Sequence, residues 1–303
     1  MKVAILSNGP GNYSTKRLKE EFKLRGHEVD VIKYKDCFAS IESSNPEVRY
    51  HGEILTGYDA IVPRIANSMT RYGTAIVRQF EMQGVFTTAS SIAISRSRDK
   101  LRSLQLLARV GVGIPKTVFT RDGREIDDLM DQIGTMPVVI KLAKGTHGNG
   151  VVLAETRKAA KSVMQAFHVM TDDGTNILMQ EFIEESAGED IRVFIVNGVV
   201  VGSMKRNSLD DDFRSNLHQG GEGTMVKLSD EERKTARKAA KAMGLPVCGV
   251  DLMRSNHGPL VLEVNSSPGF AIEKVTGRNV AAKIVEYVEQ NANKSTKRDR
   301  VGA

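Results

Sequence analysis

The stretch Gly249–Gly269 reads GVDLMRSNHGPLVLEVNSSPG and places Asp251 and Glu263 inside two otherwise apolar runs. A carboxylate on a buried strand costs free energy unless a partner offsets its lost hydration. Asp251 and Glu263 each lie six residues from His257, so a simple antiparallel hairpin centred there sets the two carboxylates opposite one another. Like charges at that separation repel, and a cation between them removes the conflict. Glu263 and Asn265 are two apart, so their side chains project from one face. Two carboxylates and an amide oxygen form a hard oxygen set suited to Mg2+ or Mn2+ shared with phosphates. The competing reading is a pair of acids neutralised by lysines.

Working outward, Val138–Glu155 reads VVIKLAKGTHGNGVVLAE, with Lys141 ahead of Gly145, Gly148 and Gly150 between two valine-rich runs. Gly145 and Gly150 have P-loop spacing, but Val151 and Val152 stand where Lys and Ser/Thr are needed. The dinucleotide fingerprint fails as well, because the glycine order is different and a strand follows instead of a helix. What remains is a hairpin flap with a lysine at its base, of the kind that covers ATP phosphates in kinases. Taken alone, the segment fits a loose surface hairpin equally well.

At 303 residues the chain has room for two or three domains, and 40% hydrophobic with 26% charged residues is ordinary for a globular protein. No apolar run is long enough for a bilayer span, and the N-terminal MKVAILSNGPGNYSTKR lacks a signal peptide's cleavage region. Cys37 and Cys248 are the only cysteines, so packed thiols in a reducing cytoplasm are expected. The net charge of +6 favours anionic partners such as nucleotides and carboxylates. With 5% aromatics and no Trp, nucleic acid is not expected as the main ligand. The basic tail NKSTKRDRVGA reads as a frayed, solvated end.

The first ninety-odd residues alternate strand and helix: KVAILS, a helix from Ser14 or Thr15 to Gly26, EVDVIKY, YDAIVPRI, a helix from about Thr74 to Gln83, then GVFTT. That order predicts a small parallel-sheet domain. NGPGN and Arg64 lie at strand ends, where α/β clefts open. SIAISRSRDKLRSLQLLARVG predicts one helical stretch crowded with Arg96, Arg98, Lys100 and Arg102. Further on, DIRVFIV and VVVGSMKR flank Asn197-Gly198, a strong hairpin signal, and the polar segment Asn207–Thr224 is long enough to be a functional loop.

The order RDK, VVIK, glycine flap, QEFI, DIRV, FRSN, strand acid, EVNSSPG resembles the ATP-grasp carboxylate–amine ligases, and within them the RimK-type glutamate ligases. The resemblance covers nearly the whole chain except the tail, and DFRSNLH and RDKLRSLQLLAR are its most specific parts. It implies an α+β ATP-grasp fold behind a Rossmann-like N-terminal domain. The expected divisions are 1–95, a lid subdomain over 96–180, a metal-bearing subdomain over 181–291 and the tail 292–303. By resemblance, Lys100 and Lys141 hold ATP phosphates under the flap, and Glu181, Phe182 and Ile183 form the adenine hinge. Asp190 takes the ribose hydroxyls. Arg192, Arg214, Ser215 and Asn216 line the phosphate and acceptor side, with Arg214 and Asn216 as the catalytic pair. Asp251, Glu263 and Asn265 hold two Mg2+ or Mn2+ ions.

The implied partners are ATP, L-glutamate and the C-terminal tail of the sixth small-subunit ribosomal protein, with no membrane and a homo-oligomeric state. Two positions depart from the pattern: Gln219 stands where an arginine is expected, and Phe182 replaces a common tyrosine. His147 reads as a solvent-exposed loop residue, and His218 remains open between that and acid–base work. A kinase is disfavoured because H-R-D and D-F-G are missing. A non-catalytic nucleotide-binding regulator would not need Asp251, Glu263 and Asn265 together, and ligases acting on a small cofactor or a carrier protein stay open.

Overall fold

The structure, a computed structural model, describes residues 1–121, 126–142, 150–169, 176–208 and 222–292. The chain opens with β1 (Lys2–Leu6), α1 (Tyr13–Leu24), β2 (Glu28–Ile32), β3 (Cys37–Glu42), β4 (Asn45–Tyr50), β5 (Glu53–Ile54), β6 (Ala60–Pro63), α2 (Thr70–Met82) and β7 (Phe86–Thr87). A parallel sheet runs β2-β1-β6-β7. Val3 to Leu6 are all fully buried, because both faces of β1 are covered. A strand buried on both faces reads as a continuous apolar run.

An antiparallel sheet, β3-β4-β5, adds to the simple alternation expected from the sequence. Its strands are largely exposed at Phe38, Ile41 and Ile54, so they lack the apolar run that marks a buried strand.

The arginine-rich stretch is two helices, α3 (Ser91–Arg98) and α4 (Lys100–Arg109), not one. Asp99 leaves the helical region with ψ 104°, and its carboxylate accepts a bond from the Arg102 amide at 3.0 Å, capping α4. Next come β8 (Thr117–Thr120), α5 (Ile126–Ile133), β9 (Val138–Leu142), β10 (Val151–Ala154), α6 (Arg157–Val169) and β11 (Ile177–Glu181). They form an antiparallel sheet in the order β10-β9-β11-β8 with its own core, in which Met130, Ile140, Met164 and Met179 are buried.

The remaining elements are β12 (Glu189–Val196), β13 (Val199–Asn207), β14 (Glu222–Met225), α7 (Asp230–Met243), β15 (Val247–Ser255), β16 (Gly258–Asn265), α8 (Ala271–Thr276) and α9 (Val280–Asn291). The sheet order is β14-β13-β12-β15-β16, all antiparallel. Asn197 (φ 51°) and Gly198 (φ 74°) turn β12 into β13 with two left-handed residues, as the Asn-Gly pair implies. Ser229 and Glu232 close a reciprocal capping box on α7, and Gly244 ends it at φ 71°. Helix α4 packs on α7 and β16, beside this sheet.

The N-terminal sheet has no separate core. Leu18 and Phe22 of α1 share one cluster with Phe194, Phe270, Ile284 and Val285. Polar contacts reinforce the seam: Arg25 bonds Glu289 at 2.9 Å, Glu286 at 3.2 Å and Glu21 at 3.3 Å, and Arg17 bonds Glu273 at 3.2 Å. Glu21 and Glu273 are buried, whereas Arg25, Glu286 and Glu289 are partly exposed, so the Arg25 pairs with Glu286 and Glu289 each contribute modestly. Arg25→Met is expected to lower stability by about 1–2 kcal/mol, a loss that shrinks as salt is raised. Urea unfolding of both proteins at low and high ionic strength measures it, and a salt-independent difference would contradict the ion-pair account.

Candidate functional site

The turn of the β15–β16 hairpin is Asn256-His257, with Ser255 opposite Gly258. A ladder continued evenly from that turn would pair Asp251 with Leu262, on a different face from Glu263. A register shift between Asp251 and Leu252 instead sets Asp251 opposite Glu263 and Gly249 opposite Asn265. The carboxylate pairing expected from the sequence is present, and a bulge produces it. Bulges commonly re-aim side chains in this way next to functional sites.

Asp251 is only 2% exposed and Glu263 is exposed. Asn265 Nδ2 lies 2.9 Å from Glu263 Oε1 and 3.4 Å from Asp251 Oδ2, so the three side chains converge. Arg192, opposite Asp251 on β12, holds that carboxylate through both Nε and Nη2, the latter at 2.6 Å. Arg206 reaches Asp251 Oδ2 at 2.9 Å and clasps Asp190, its partner in the ladder, through two donors. Burial works against the Asp251 charge, but the two guanidinium groups hold its carboxyl below the usual carboxylate range. The side-chain cations paired with buried Asp251 and Asp190 are arginines, where the competing reading of the sequence had lysines.

Arg206 was not singled out by the sequence, where SMKR looks like a solvated strand end. A ladder continued evenly from the Asn197-Gly198 turn would set Lys205 opposite Asp190; a register shift between Phe194 and Ile195 sets Arg206 there instead, and the sequence does not show that shift.

The second wall carries lysines. Lys141 on β9 donates to Gln180 Oε1 at 2.5 Å, and Gln180 Nε2 donates to Thr117 Oγ1 at 2.8 Å, which fixes the amide's orientation. Lys100, brought to the start of α4 by the Asp99 cap, donates to the Leu142 carbonyl at 3.0 Å. Burial, then the neighbouring charge of Lys100, pushes Lys141 down to about 8, with Glu263 pulling the other way. Burial likewise lowers Lys100, again against Glu263. Both lysines and Glu263 thus lie within one another's fields.

Glu181 Oε1 accepts from the Lys116 amide at 2.8 Å, and its own amide donates to the Lys116 carbonyl at 3.0 Å. That double link ties the end of β11 to the segment before β8. Phe182 follows β11, and Ile183 is buried. Asp190, 6% exposed, sits inside the Arg206 clasp. Gly150, at φ 70°, begins the described part of the hairpin's return strand. Gly145, Gly148, His147, Arg214, Ser215, Asn216, His218 and Gln219 lie outside the described residues. Cys37 and Cys248 are buried, and burial pushes both thiols up to about 12, so they are packed and unreactive. Among the described residues, no helix is long and apolar enough to cross a membrane.

Residues 97–288 match the RimK-like ATP-grasp domain, and residues 1–94 match the RimK pre-ATP-grasp domain. The chain belongs to the RimK-like ATP-grasp family. It is 56% identical over 301 residues to a protein of Nitrosococcus oceani named "Probable alpha-L-glutamate ligase", covering 99% of each chain. A protein of the same name from Hydrogenovibrio crunogenus is 56% identical over 293 residues, 96% of each chain. The fold is that of the ATP-grasp ligase PsnB complexed with minimal precursor, Mg and ADP (TM-score 0.72, 18% identity, 96% of this chain and 97% of that one). The protein therefore has the ATP-grasp fold behind a pre-ATP-grasp domain, as the motif order implied.

The RimK-like site depends on compensated buried charge, and two adjacent cations on β13 test that. Removing one member of a buried pair strands its partner and typically costs about 3–5 kcal/mol. Arg206→Met is expected to lose that much, because it removes two bonds to Asp190 and one to Asp251 from a buried site. Lys205→Met, which breaks only an exposed pair with Glu189 at 2.7 Å, should lose less than about 1 kcal/mol. Equal losses in urea unfolding would contradict the assignment.

Proposed function

We propose that the protein is an ATP-dependent ligase that joins L-glutamate to the C-terminal carboxylate of the sixth small-subunit ribosomal protein. The observation that carries this reading is a pair of lysines, Lys141 on β9 and Lys100 at the start of α4, set beside Glu263, Asn265 and Asp251 of the β12–β16 sheet. Such a pairing suits a polyphosphate and its divalent cations. The names of the 56%-identical relatives support glutamate as the added group.

The donor set fits Mg2+ or Mn2+: two carboxylates and an amide converge, and with its amide turned over Asn265 offers an oxygen where its nitrogen now lies. Glu263 and Asn265 would hold the ions on the open side, with Asp251 behind them. When bound, the metal neutralises charge on the transferring phosphoryl group. Lys141, steadied by Gln180, and Lys100 hold the phosphates as point charges. In this reading Arg214 and Asn216 would serve the acceptor side, Gly145 to Gly150 would cover the phosphates, and Glu181 to Ile183 with Asp190 would take the nucleoside.

An oxygen of the acceptor carboxylate attacks the γ-phosphorus and ADP leaves, giving an acyl phosphate. The glutamate amine then attacks the acyl carbon, releasing phosphate and a proton. Catalysis here is positioning and electrostatics, with no side-chain nucleophile. A cavity of about 370 Å3 lined by Ser68, Met69, Arg71, Tyr72 and Ala75 offers the acidic tail a path along α2.

Incubation with ATP, glutamate and the ribosomal protein should give ADP, phosphate and a ladder of masses spaced by one glutamate residue, since each product ends in a new carboxylate. AMP and pyrophosphate would refute the acyl phosphate, and glutamate joined to a small cofactor would move the acceptor.

Lys141 supplies an independent test. Above about pH 8 its amine is neutral in the free protein, and bound phosphates favour the ammonium form. Nucleotide binding should therefore take up a proton: affinity is undiminished below that pKa and falls as pH rises through it. Calorimetry of Mg·ADP binding one pH unit above it, in two buffers of different ionisation heat, should show uptake close to one proton, reduced in Lys141→Met. No uptake in the wild type would remove Lys141 from the phosphate site.

A further inference from the structure

Near Glu263, three segments without a role in the scheme above come together. Arg64 follows β6 at the open end of the parallel sheet. Its Nη2 donates to the Pro268 carbonyl at 2.7 Å and to Ser14 Oγ at 3.1 Å, and its guanidinium carbon lies 5.2 Å from the centre of the Phe270 ring. Arg98, the last residue of α3, donates from Nη2 to the Ile65 carbonyl at 2.7 Å and from Nε to Ser266 Oγ at 3.3 Å. Between those two contact points, Ser267 Oγ is buried with no hydrogen-bond partner.

The loop that carries these serines lies directly against β15. A Cβ on Gly249 would fall 3.0 Å from Pro268 Cβ and 2.9 Å from Arg192 Cδ, so β15 and the loop are already in contact. The two arginines are thus positioned by backbone carbonyls, hydroxyls and a ring.

Among the described residues neither guanidinium has a carboxylate partner, and Nε and Nη1 of Arg64 and Nη1 of Arg98 make no bond. Burial and the nearby charge of Arg98 push Arg64 down to about 10, and burial also lowers Arg98, with Glu263 acting against it. Two like charges confined without an acid are unfavourable in the free protein, and an arriving anion relieves them. The free donors of a planar guanidinium match a carboxylate in particular. That carboxylate is not the one being phosphorylated, because two guanidinium groups would draw off the charge its attack requires. Free glutamate reacts through its amine and carries two carboxylates that form no bond.

We propose that Arg64 and Arg98 grip a non-reacting carboxylate of the incoming glutamate and so select it as the amine donor. This rests on the ligase reading and deepens it. The test is calorimetric titration of glutamate, glutamine and glutamate α-amide into the full chain holding Mg2+ and a non-hydrolysable ATP analogue.

The wild type should bind glutamate at least tenfold more tightly than one of the two amides. Preference over glutamine assigns the side-chain carboxylate, and preference over the α-amide assigns the α-carboxylate. Arg64→Gln and Arg98→Gln should each weaken glutamate binding tenfold or more, and Arg64→Lys less. Analogue affinity in the Arg64 variants should stay within twofold of wild type. Because Arg64→Gln could loosen the seam with Pro268, Arg64→Lys, which keeps charge and one donor, is read alongside it.

A wild type that binds no glutamate, or binds both amides equally well, overturns the proposal. So does unchanged glutamate affinity in the arginine variants. Arg64-dependent glutamate binding without amide formation would leave the arginine grip and remove the ligase reading; amide formation with unaltered affinity in the variants would do the reverse.

Discussion

Asp251 lies in the middle of a five-stranded sheet with 2% of its surface exposed, and the cost of ionising a carboxylate there governs what its neighbours can be. Arg192 meets it from β12 and Arg206 from β13, and Arg206 in turn requires Asp190. In the ladder Asp190 is opposite Arg206, Arg192 opposite Asp251, and Asp251 opposite Glu263. Residues two apart share a face, so all five belong to one side of the sheet. The other side presents Ile191, Val193, Val250, Leu252 and Val264 to the core. One face is therefore largely apolar, while the other carries the charges at one end and Phe194, Val196 and Met204 in the second core cluster at the other. The bulge beside Asp251 lets Glu263 and Asn265 join the charged face without moving Val261 out of the core.

Across the cleft the charge has one sign. Lys100 and Lys141 are close enough for one to depress the other, and their compensating acid, Glu263, belongs to the facing sheet. A surplus of oriented cations with little water around them is unfavourable in the free protein and favourable when an anion arrives, since no reorganisation is then needed. Stability for that arrangement comes from elsewhere, above all from the clusters that fuse the N-terminal sheet to the β12–β16 sheet. The same fusion brings Arg64 from the first domain beside Pro268 of the last.

The sequence carried the fold through motif order and through acids in apolar runs, which is why Asp251, Glu263 and Asn265 were legible together. It did not carry the bulge, because one extra residue in a ladder leaves no compositional trace; a hairpin centred on His257 produced the right pair for a different reason. Asp99 was hidden in a helical pattern, since its cap acts through backbone geometry and not hydrophobic period. The β3-β5 sheet was missed because it buries little. Arg206 and Gln180 were missed because each gains meaning only from a partner on another strand. Arg64 was legible by position, at a strand end, but its want of an acidic partner was not.

The two walls also differ in what fixes them in place. The β8–β11 sheet has a core of its own, built with α5 and α6 and containing no residue of the β12–β16 sheet. Polar links between the segments include Lys100, at the start of α4, to the Leu142 carbonyl of β9, and Glu185, after β11, to the Asn256 amide at 2.6 Å. Each such bond contributes about 1–3 kcal/mol net, the same order as one charged contact to a phosphate oxygen. Apolar burial sets the shape of each wall, and polar contacts of the strength a nucleotide itself makes are among those that join them. A ligand that bridges the walls can therefore act on the distance between them with its own binding energy. The acyl phosphate proposed above, which water would hydrolyse, needs that freedom.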